Sequence, residues 1–204
     1  MMQTLLWTNE PEPYREALQH AGLAAQMDIQ TSRMNDVPTG EQLAKIEVML
    51  ALNVPPGVLA RMPKLRWIQA ITVGIDNWLA RADLREDVAL TCARGSHRVA
   101  MPENILGALF HITKPYAQVT IEQKERRWVR HVSDPLAGKT LGILGLGTIG
   151  QELAKKAAAL ELRVIGTRRS PGAIPGVDRV YAPGQVDEVL AQSDFVLLLL
   201  PLTA

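Results

Sequence analysis

Over roughly the first ninety residues, short apolar runs alternate with stretches whose apolar positions share one helical face. "QTLLWT" (3–8), "MDIQTS" (27–32), "EVMLAL" (47–52), "LRWIQAI" (65–71) and "VALTCA" (88–93) predict strands. Between them, "PEPYREALQHAG" (11–22) predicts a helix closed by Gly22, a residue that tolerates a left-handed position. "TGEQLAKI" (39–46) predicts a helix capped at Thr39 or Gly40, and "PPGVLARM" (55–62) a short one with proline at its start. Strands alternating with helices imply a parallel sheet covered on both faces.

The pattern then changes. From Val99 to Arg130 the spacing is helical, but Pro115 interrupts it, because proline lacks the N–H and clashes with the preceding turn. Two helices are expected, over about 102–113 and 115–128, the second with a mostly solvated face in "EQKERRWVR". After the loop "HVSDPLAGK" the alternation resumes. "KTLGILG" (139–145), "LRVIGTRR" (162–169), "DRVYA" (178–182) and "FVLLLL" (195–200) predict strands, while 148–160 and 185–192 predict helices. The last run, bounded by Asp194 and Pro201, predicts a strand buried on both faces. The chain therefore reads as two αβ units joined by a helical connection.

"GILGLGTIGQELA" places Gly145, Gly147 and Gly150 in G-x-G-x-x-G spacing. Glycines recur by chance, and a glycine-rich turn without a ligand is the competing reading. A strand before, a helix after and a second strand one unit on favour a dinucleotide site. Gly145 allows the tight turn, Gly147 the approach of a pyrophosphate, and Gly150 close helix–strand packing. The amides of Leu146, Gly147, Thr148 and Ile149 are expected to point at the phosphates, helped by the positive end of the helix. At the end of the next strand, NAD sites place an acid and NADP sites an arginine. Here stand Arg168, Arg169 and Ser170, with no acid before Asp178, so NADP is the expected cofactor and NAD the second choice.

Charge and composition narrow the classes further. With 22 basic and 21 acidic side chains the net charge is +1, which gives no electrostatic case for nucleic acid or an anionic membrane. The longest apolar run is far below the ~18 residues that a membrane span needs. "MMQTLLWTNEPEPYR" lacks a basic region before its apolar residues and does not read as a signal peptide. Cys92 is the only cysteine, so no disulfide and no cysteine-based metal site is expected, and a cytoplasmic location is the simplest reading. Cys92 reads as a small core hydrophobe. Trp67, Trp78 and Trp128 read as core or domain-junction packing. His20, His97, His111 and His131 have no acid at metal-ligand spacing and read as packed or surface side chains.

"QAITVGIDNW", "RGSHRVAMPENILGALF", Trp128, "LAGKTLGILGLGTIGQELAKKAAAL", "VIGTRRS" and "SDFVLLLLPLT" together resemble the D-isomer-specific 2-hydroxyacid dehydrogenases, closest to their glyoxylate/hydroxypyruvate reductase branch. The resemblance covers nearly all the chain from about Leu50 onward. It implies an α/β protein with a flavodoxin-like substrate domain (1–97) and an incomplete Rossmann domain, a doubly wound parallel sheet (98–204). It implies that the backbone amides of Val73 and Gly74 bind the substrate carboxylate, as amides in a tight glycine turn do for anions. Asp76 is expected to cap the next short helix. Leu200, Pro201 and Thr203 of "LPLT" resemble the segment lining the cofactor, and Glu103 is the acid of "MPEN".

Three residues depart from the family pattern: Pro102, Asn104, and Glu161, which replaces a usual glycine. If that last position needs a positive φ, the glutamate costs about 1 kcal/mol or more. The resemblance assigns the catalytic Arg, Glu and His to chain downstream of "PLT", so no catalytic residue is expected within these 204, and the fragment alone is expected to be inactive. The expected partners are a small 2-keto or 2-hydroxy acid and a second copy, paired through the helices between Pro102 and Trp128. A non-catalytic nucleotide-binding or dimerising module, as in relatives that serve as transcriptional co-repressors, is the alternative.

Overall fold

A computed structural model describes residues 1–170 and 172–200. They form two compact units, Met1–Arg94 and a second that starts at Gly95.

The first unit is a five-stranded sheet. Its strands are β1 (Met2–Trp7), β2 (Met27–Ser32), β3 (Val48–Ala51), β4 (Trp67–Ala70) and β5 (Ala89–Cys92), in the order β2-β1-β3-β4-β5. Every pairing is parallel. That is the flavodoxin-like doubly wound order. Strand β3 (VMLA) and the second half of β1 (LLW) are continuous apolar runs, as expected of strands covered on both faces. Trp7, Met49, Ile68 and Trp78 are fully enclosed, and the Trp7 indole N–H donates to the Arg33 carbonyl at 2.8 Å. The Trp78 indole N–H has no partner among the described residues.

Helix α1 (Glu12–His20) ends as expected. Gly22 takes φ 69°, and the Leu23 N–H reaches back to the Leu18 carbonyl. Helix α2 is shorter than predicted, Gly40–Leu43, but Thr39 caps it in a reciprocal box with Gln42. In place of the helix expected over 55–62 there is a single 3-10 turn, Leu59–Arg61. Arg81 stabilises that segment: it donates to the Val54 and Pro55 carbonyls and pairs with Asp83, whose carboxylate also accepts from the Leu59 amide.

The second unit opens with α4 (Ala100–Thr113) and α5 (Tyr116–Lys124). Lys114, before Pro115, is extended, as a residue preceding proline must be. Helix α5 stops four residues short of the predicted end. Arg126 takes φ 55° and turns the chain, so Trp128 is 99% exposed rather than packed. Trp67 also departs from the expectation: it is partly exposed on β4, its N–H on the Thr91 hydroxyl. Cys92, on edge strand β5, is only half-buried against the first core.

A four-stranded parallel sheet follows: β6 (Thr140–Leu144), β7 (Arg163–Thr167), β8 (Arg179–Tyr181) and β9 (Phe195–Leu198), in the order β8-β7-β6-β9. Helix α6 (Thr148–Ala159) crosses from β6 to β7, and α7 (Val186–Leu190) precedes β9. Asp194 anchors β9: its carboxylate accepts from the Thr140 amide at 2.7 Å, and its own amide donates to the Thr140 carbonyl. Strand β9 lies at the sheet edge and is half-buried, not enclosed. Val196 is 45% and Leu198 70% exposed, while Phe195 and Leu197, which point to the opposite face, pack against the core, so only one face of β9 is covered.

Glu161 sits where a glycine would be unstrained. The Leu162 N–H donates to the Ala157 carbonyl and the Glu161 N–H to that of Ala158, which is the Schellman ending of α6, and Glu161 takes φ 61°. Glu161→Gly should therefore raise the unfolding free energy by about 1 kcal/mol, the left-handed penalty less the greater chain entropy of glycine. Urea denaturation checks this; an unchanged or lower midpoint contradicts it.

Candidate dinucleotide site

Strand β6 delivers the chain to the point where the sheet order reverses, between β6 and β9. In open α/β sheets this crevice, at the carboxyl ends of the strands, is where ligands bind. The turn out of β6 needs glycine: Gly145 has φ 110°, and a Cβ there would come within 2.6 Å of the Leu199 carbonyl. Gly150, in the first turn of α6, has its own constraint, since a Cβ there would meet the Gly145 carbonyl at 2.6 Å. Gly147 is different. It is the extended cap residue of α6, and a Cβ there would meet nothing within 4 Å. Its lack of a side chain serves no internal packing and leaves space beside the helix N-terminus.

Among the described residues, no protein group accepts from the amides of Gly147, Thr148, Ile149 and Gly150. Leu146 departs from the expectation. Its N–H does not face outward but donates to the Thr167 carbonyl at 2.9 Å. The amides left without an acceptor are thus those of the cap and the first turn of α6, where the helix dipole favours an anion. Gln151 adds a side-chain contact that motif spacing does not reveal: its Nε2 donates to the Leu146 carbonyl at 3.2 Å. Gly166 in β7 was equally unforeseen. A Cβ there would clash with the Ile143 carbonyl and stand 3.1 Å from the Leu146 side chain, so this glycine permits the close approach of β6 and leaves room for the buried Leu146.

Arg168, Arg169 and Ser170 follow β7 directly. The Arg168 amide donates to the Tyr181 carbonyl, which fixes the backbone from which the arginines project. Arg169 and Ser170 are exposed, Arg168 half so. Neither guanidinium has a carboxylate within ion-pair distance among the described residues. Leu200, 61% exposed, lies beside the loop, its side chain 3.2 Å from where a Gly145 Cβ would stand. Pro201 and Thr203 lie outside the described residues. The space at Gly147, the free amides and the unpaired arginines together fit a dinucleotide carrying a further phosphate.

In the first unit, Val73 and Gly74 follow β4. Their amides have no acceptor among the described residues, and the Thr72 hydroxyl braces the turn by donating to the Gly74 carbonyl at 2.8 Å. Asp76 is not the cap of α3 (Asp76–Leu79). Ile75 occupies that position, and Asp76 is the first helical residue, where its charge complements the helix dipole. Of the four histidines, His131 alone meets a carboxylate, Glu122, at 2.7 Å. Glu122 is 5% exposed and also accepts from Gln118, and these two contacts hold its carboxyl below the ordinary 4.5. The pair fastens the segment after α5 back onto that helix. No cluster of metal-ligating side chains occurs among the described residues, and no helix there is long and apolar enough to cross a membrane.

The second unit is a doubly wound parallel sheet with a glycine-rich turn at its switch point, and the first has the flavodoxin-like strand order. Residues 106–204 match the family model for the NAD binding domain of D-isomer specific 2-hydroxyacid dehydrogenases. The chain is 27% identical over 179 residues to a hydroxypyruvate reductase of Thermotoga maritima, an alignment covering 81% of this chain and 58% of that protein. Its structure resembles a D-isomer specific 2-hydroxyacid dehydrogenase family protein from Aeromonas salmonicida, with TM-score 0.85 and 29% identity over 99% of this chain and 64% of that one. It also resembles an NADPH-dependent glyoxylate/hydroxypyruvate reductase from Sinorhizobium meliloti, solved with NADP and sulfate, with TM-score 0.78 and 26% identity over 100% of this chain and 63% of that one. The chain is thus similar to the D-isomer specific 2-hydroxyacid dehydrogenases, and the match to their NAD binding domain spans residues 106–204. The chain spans less than two thirds of the length of each of these relatives.

The two inner glycines should respond oppositely to alanine. Gly150→Ala should cost about 1–3 kcal/mol of stability, since helix and strand must separate. Gly147→Ala should leave the denaturation midpoint unchanged and weaken nucleotide binding in titration calorimetry. Equal effects of the two on stability would contradict the assignment of Gly147 to ligand space.

Proposed function

We propose that this chain binds NADP and a small 2-keto or 2-hydroxy acid, as part of an oxidoreductase acting on glyoxylate, hydroxypyruvate or a similar acid. The observation that carries the reading is the free amide array at the switch point, followed on the next strand by Arg168, Arg169 and Ser170 where an NAD site would have an acid. The likeness to the Thermotoga hydroxypyruvate reductase and to the NADPH-dependent Sinorhizobium enzyme supports it. When bound, the nicotinamide supplies or accepts a hydride. The residues of this chain bind and orient. The amides of Gly147, Thr148 and Ile149 hold the pyrophosphate, and Arg168 and Arg169 grip the 2′-phosphate with Ser170 beside them. The Val73 and Gly74 amides hold the substrate carboxylate in a turn stiffened by Thr72. Two of the four histidines are engaged within the chain: the His131 ring meets the Glu122 carboxylate, and the His20 ring is bonded to its own helix at the Glu16 carbonyl.

Titration calorimetry of the chain tests the cofactor. NADPH should bind more tightly than NADH, and Arg169→Asp should cost ~2 kcal/mol or more of NADPH affinity, because a charge-assisted contact becomes a repulsion. Equal affinities in the unmutated chain would end the NADP reading. The 204 residues alone should oxidise no NADPH with glyoxylate or hydroxypyruvate, because the family resemblance assigns substrate orientation and general acid catalysis to none of the residues present. Turnover that a substitution within them abolishes would place the chemistry here after all.

We further propose a homodimer through the α4–α5 region, in the cytoplasm. Ile112, Tyr116, Val119 and Ile121 are all exposed on these two helices, and Trp128 and Val132 just beyond them, an apolar concentration that a lone unit leaves in water. A two-fold interface would bury it against itself. Sedimentation should show a dimer that Ile112→Lys dissociates; a monomer at micromolar concentration before mutation would refute it.

A further inference from the structure

Leu146, the residue between the first two glycines, is fixed at three points. Its N–H donates to the Thr167 carbonyl at 2.9 Å, and its side chain, 1% exposed, fills the space that Gly166 vacates. Its carbonyl accepts from Gln151 Nε2 at 3.2 Å. The first two contacts are set by the backbone and by a glycine. The third comes from one side chain in the first part of α6. The peptide joining Leu146 to Gly147 is planar, so a bond that holds the Leu146 carbonyl also sets the direction of the Gly147 N–H.

We infer that Gln151 is a positioning residue for the nucleotide: by holding the Leu146–Gly147 peptide plane, it keeps the amides that follow aimed at the pyrophosphate before any ligand arrives. The inference rests on the dinucleotide reading above. Preorganised donors bind more tightly than donors that must be ordered on binding, because the ordering cost falls before association rather than during it. Gln151 acts through the loop alone, so its effect should be confined to ligands that carry the pyrophosphate.

That confinement supplies the test. In the full 204-residue chain, Gln151→Met keeps the length and helix preference of the side chain and removes the donor. NADPH affinity by calorimetry should fall about three- to tenfold, as expected for one neutral hydrogen bond. Binding of adenosine 2′-monophosphate, which has the arginine-facing phosphate and no pyrophosphate, should stay unchanged in an NMR titration. Gln151→Lys, which retains a donor, should bind NADPH at least as well as the unmutated chain. Equal loss for both ligands in Gln151→Met, no loss for either, or a loss in Gln151→Lys matching that in Gln151→Met would overturn the inference alone. An unmutated chain that binds neither ligand would overturn the dinucleotide reading, and this inference with it.

Discussion

The second unit depends on one close approach: the first turn of α6 against the end of β6. The Gly145 carbonyl lies where a side chain on Gly150 would be, and the Leu199 carbonyl where one on Gly145 would be. Three backbone segments therefore meet with no side chain between them. That contact sets the depth at which α6 sits on the sheet, and so the place where its unpaired amides emerge. It also fixes the path of the chain leaving β9, whose Leu199 amide donates to the Leu144 carbonyl at 2.9 Å. A pocket built from side chains would tolerate small shifts. A cradle of backbone amides does not, because its geometry is the geometry of the fold.

Sheet order then decides which strand ends are available. In the second unit, β7 and β8 extend the sheet to one side of β6, and β9 returns on the other. Helix α6 leaves one face, and the reversal leaves a crevice at the carboxyl end of β6 that no crossover covers. The first unit has the same doubly wound logic in the order β2-β1-β3-β4-β5. Its unpaired amides, at Val73 and Gly74, follow β4 and are held by the Thr72 hydroxyl rather than by a helix. In both units the proposed anion sites would thus be mainly a property of main chain held rigid by its neighbours.

Much of this was legible because it depends on residue spacing. The glycine triplet, the Arg168–Ser170 run, the break at Pro115 and the Thr39 cap each follow from local stereochemistry, and each occupies the expected place in the fold. The misreadings share a different cause. Trp128, Trp67 and β9 were expected to be buried because they are apolar, yet burial depends on what packs against a segment, and composition does not contain that. Helix α5 ended early because Arg126 adopts a left-handed turn, for which arginine carries no signal. Gln151 and Asp194 act on carbonyls and amides five and fifty-four residues away, a reach that no short motif encodes. The Leu146 amide was assigned to the ligand because the motif treats the loop as uniform, whereas β7 claims it.

The two halves of nucleotide recognition stand in different relation to the fold. The acceptor-free amides start at the glycine contact, where a side chain on Gly150, unlike one on Gly147, would disturb the packing of helix on strand. Arg168, half-buried, and Arg169, exposed, lie past the end of β7 with no ion-pair partner among the described residues. Substitution there removes no interior contact and should be nearly neutral for stability. A charge change at the same place is large for a ligand phosphate, since a carboxylate would repel what a guanidinium holds in a bidentate grip. On the proposed reading, binding of a dinucleotide in general would be fixed by the constraint that folds the domain, while the choice between two dinucleotides would rest on residues that the fold leaves free to vary.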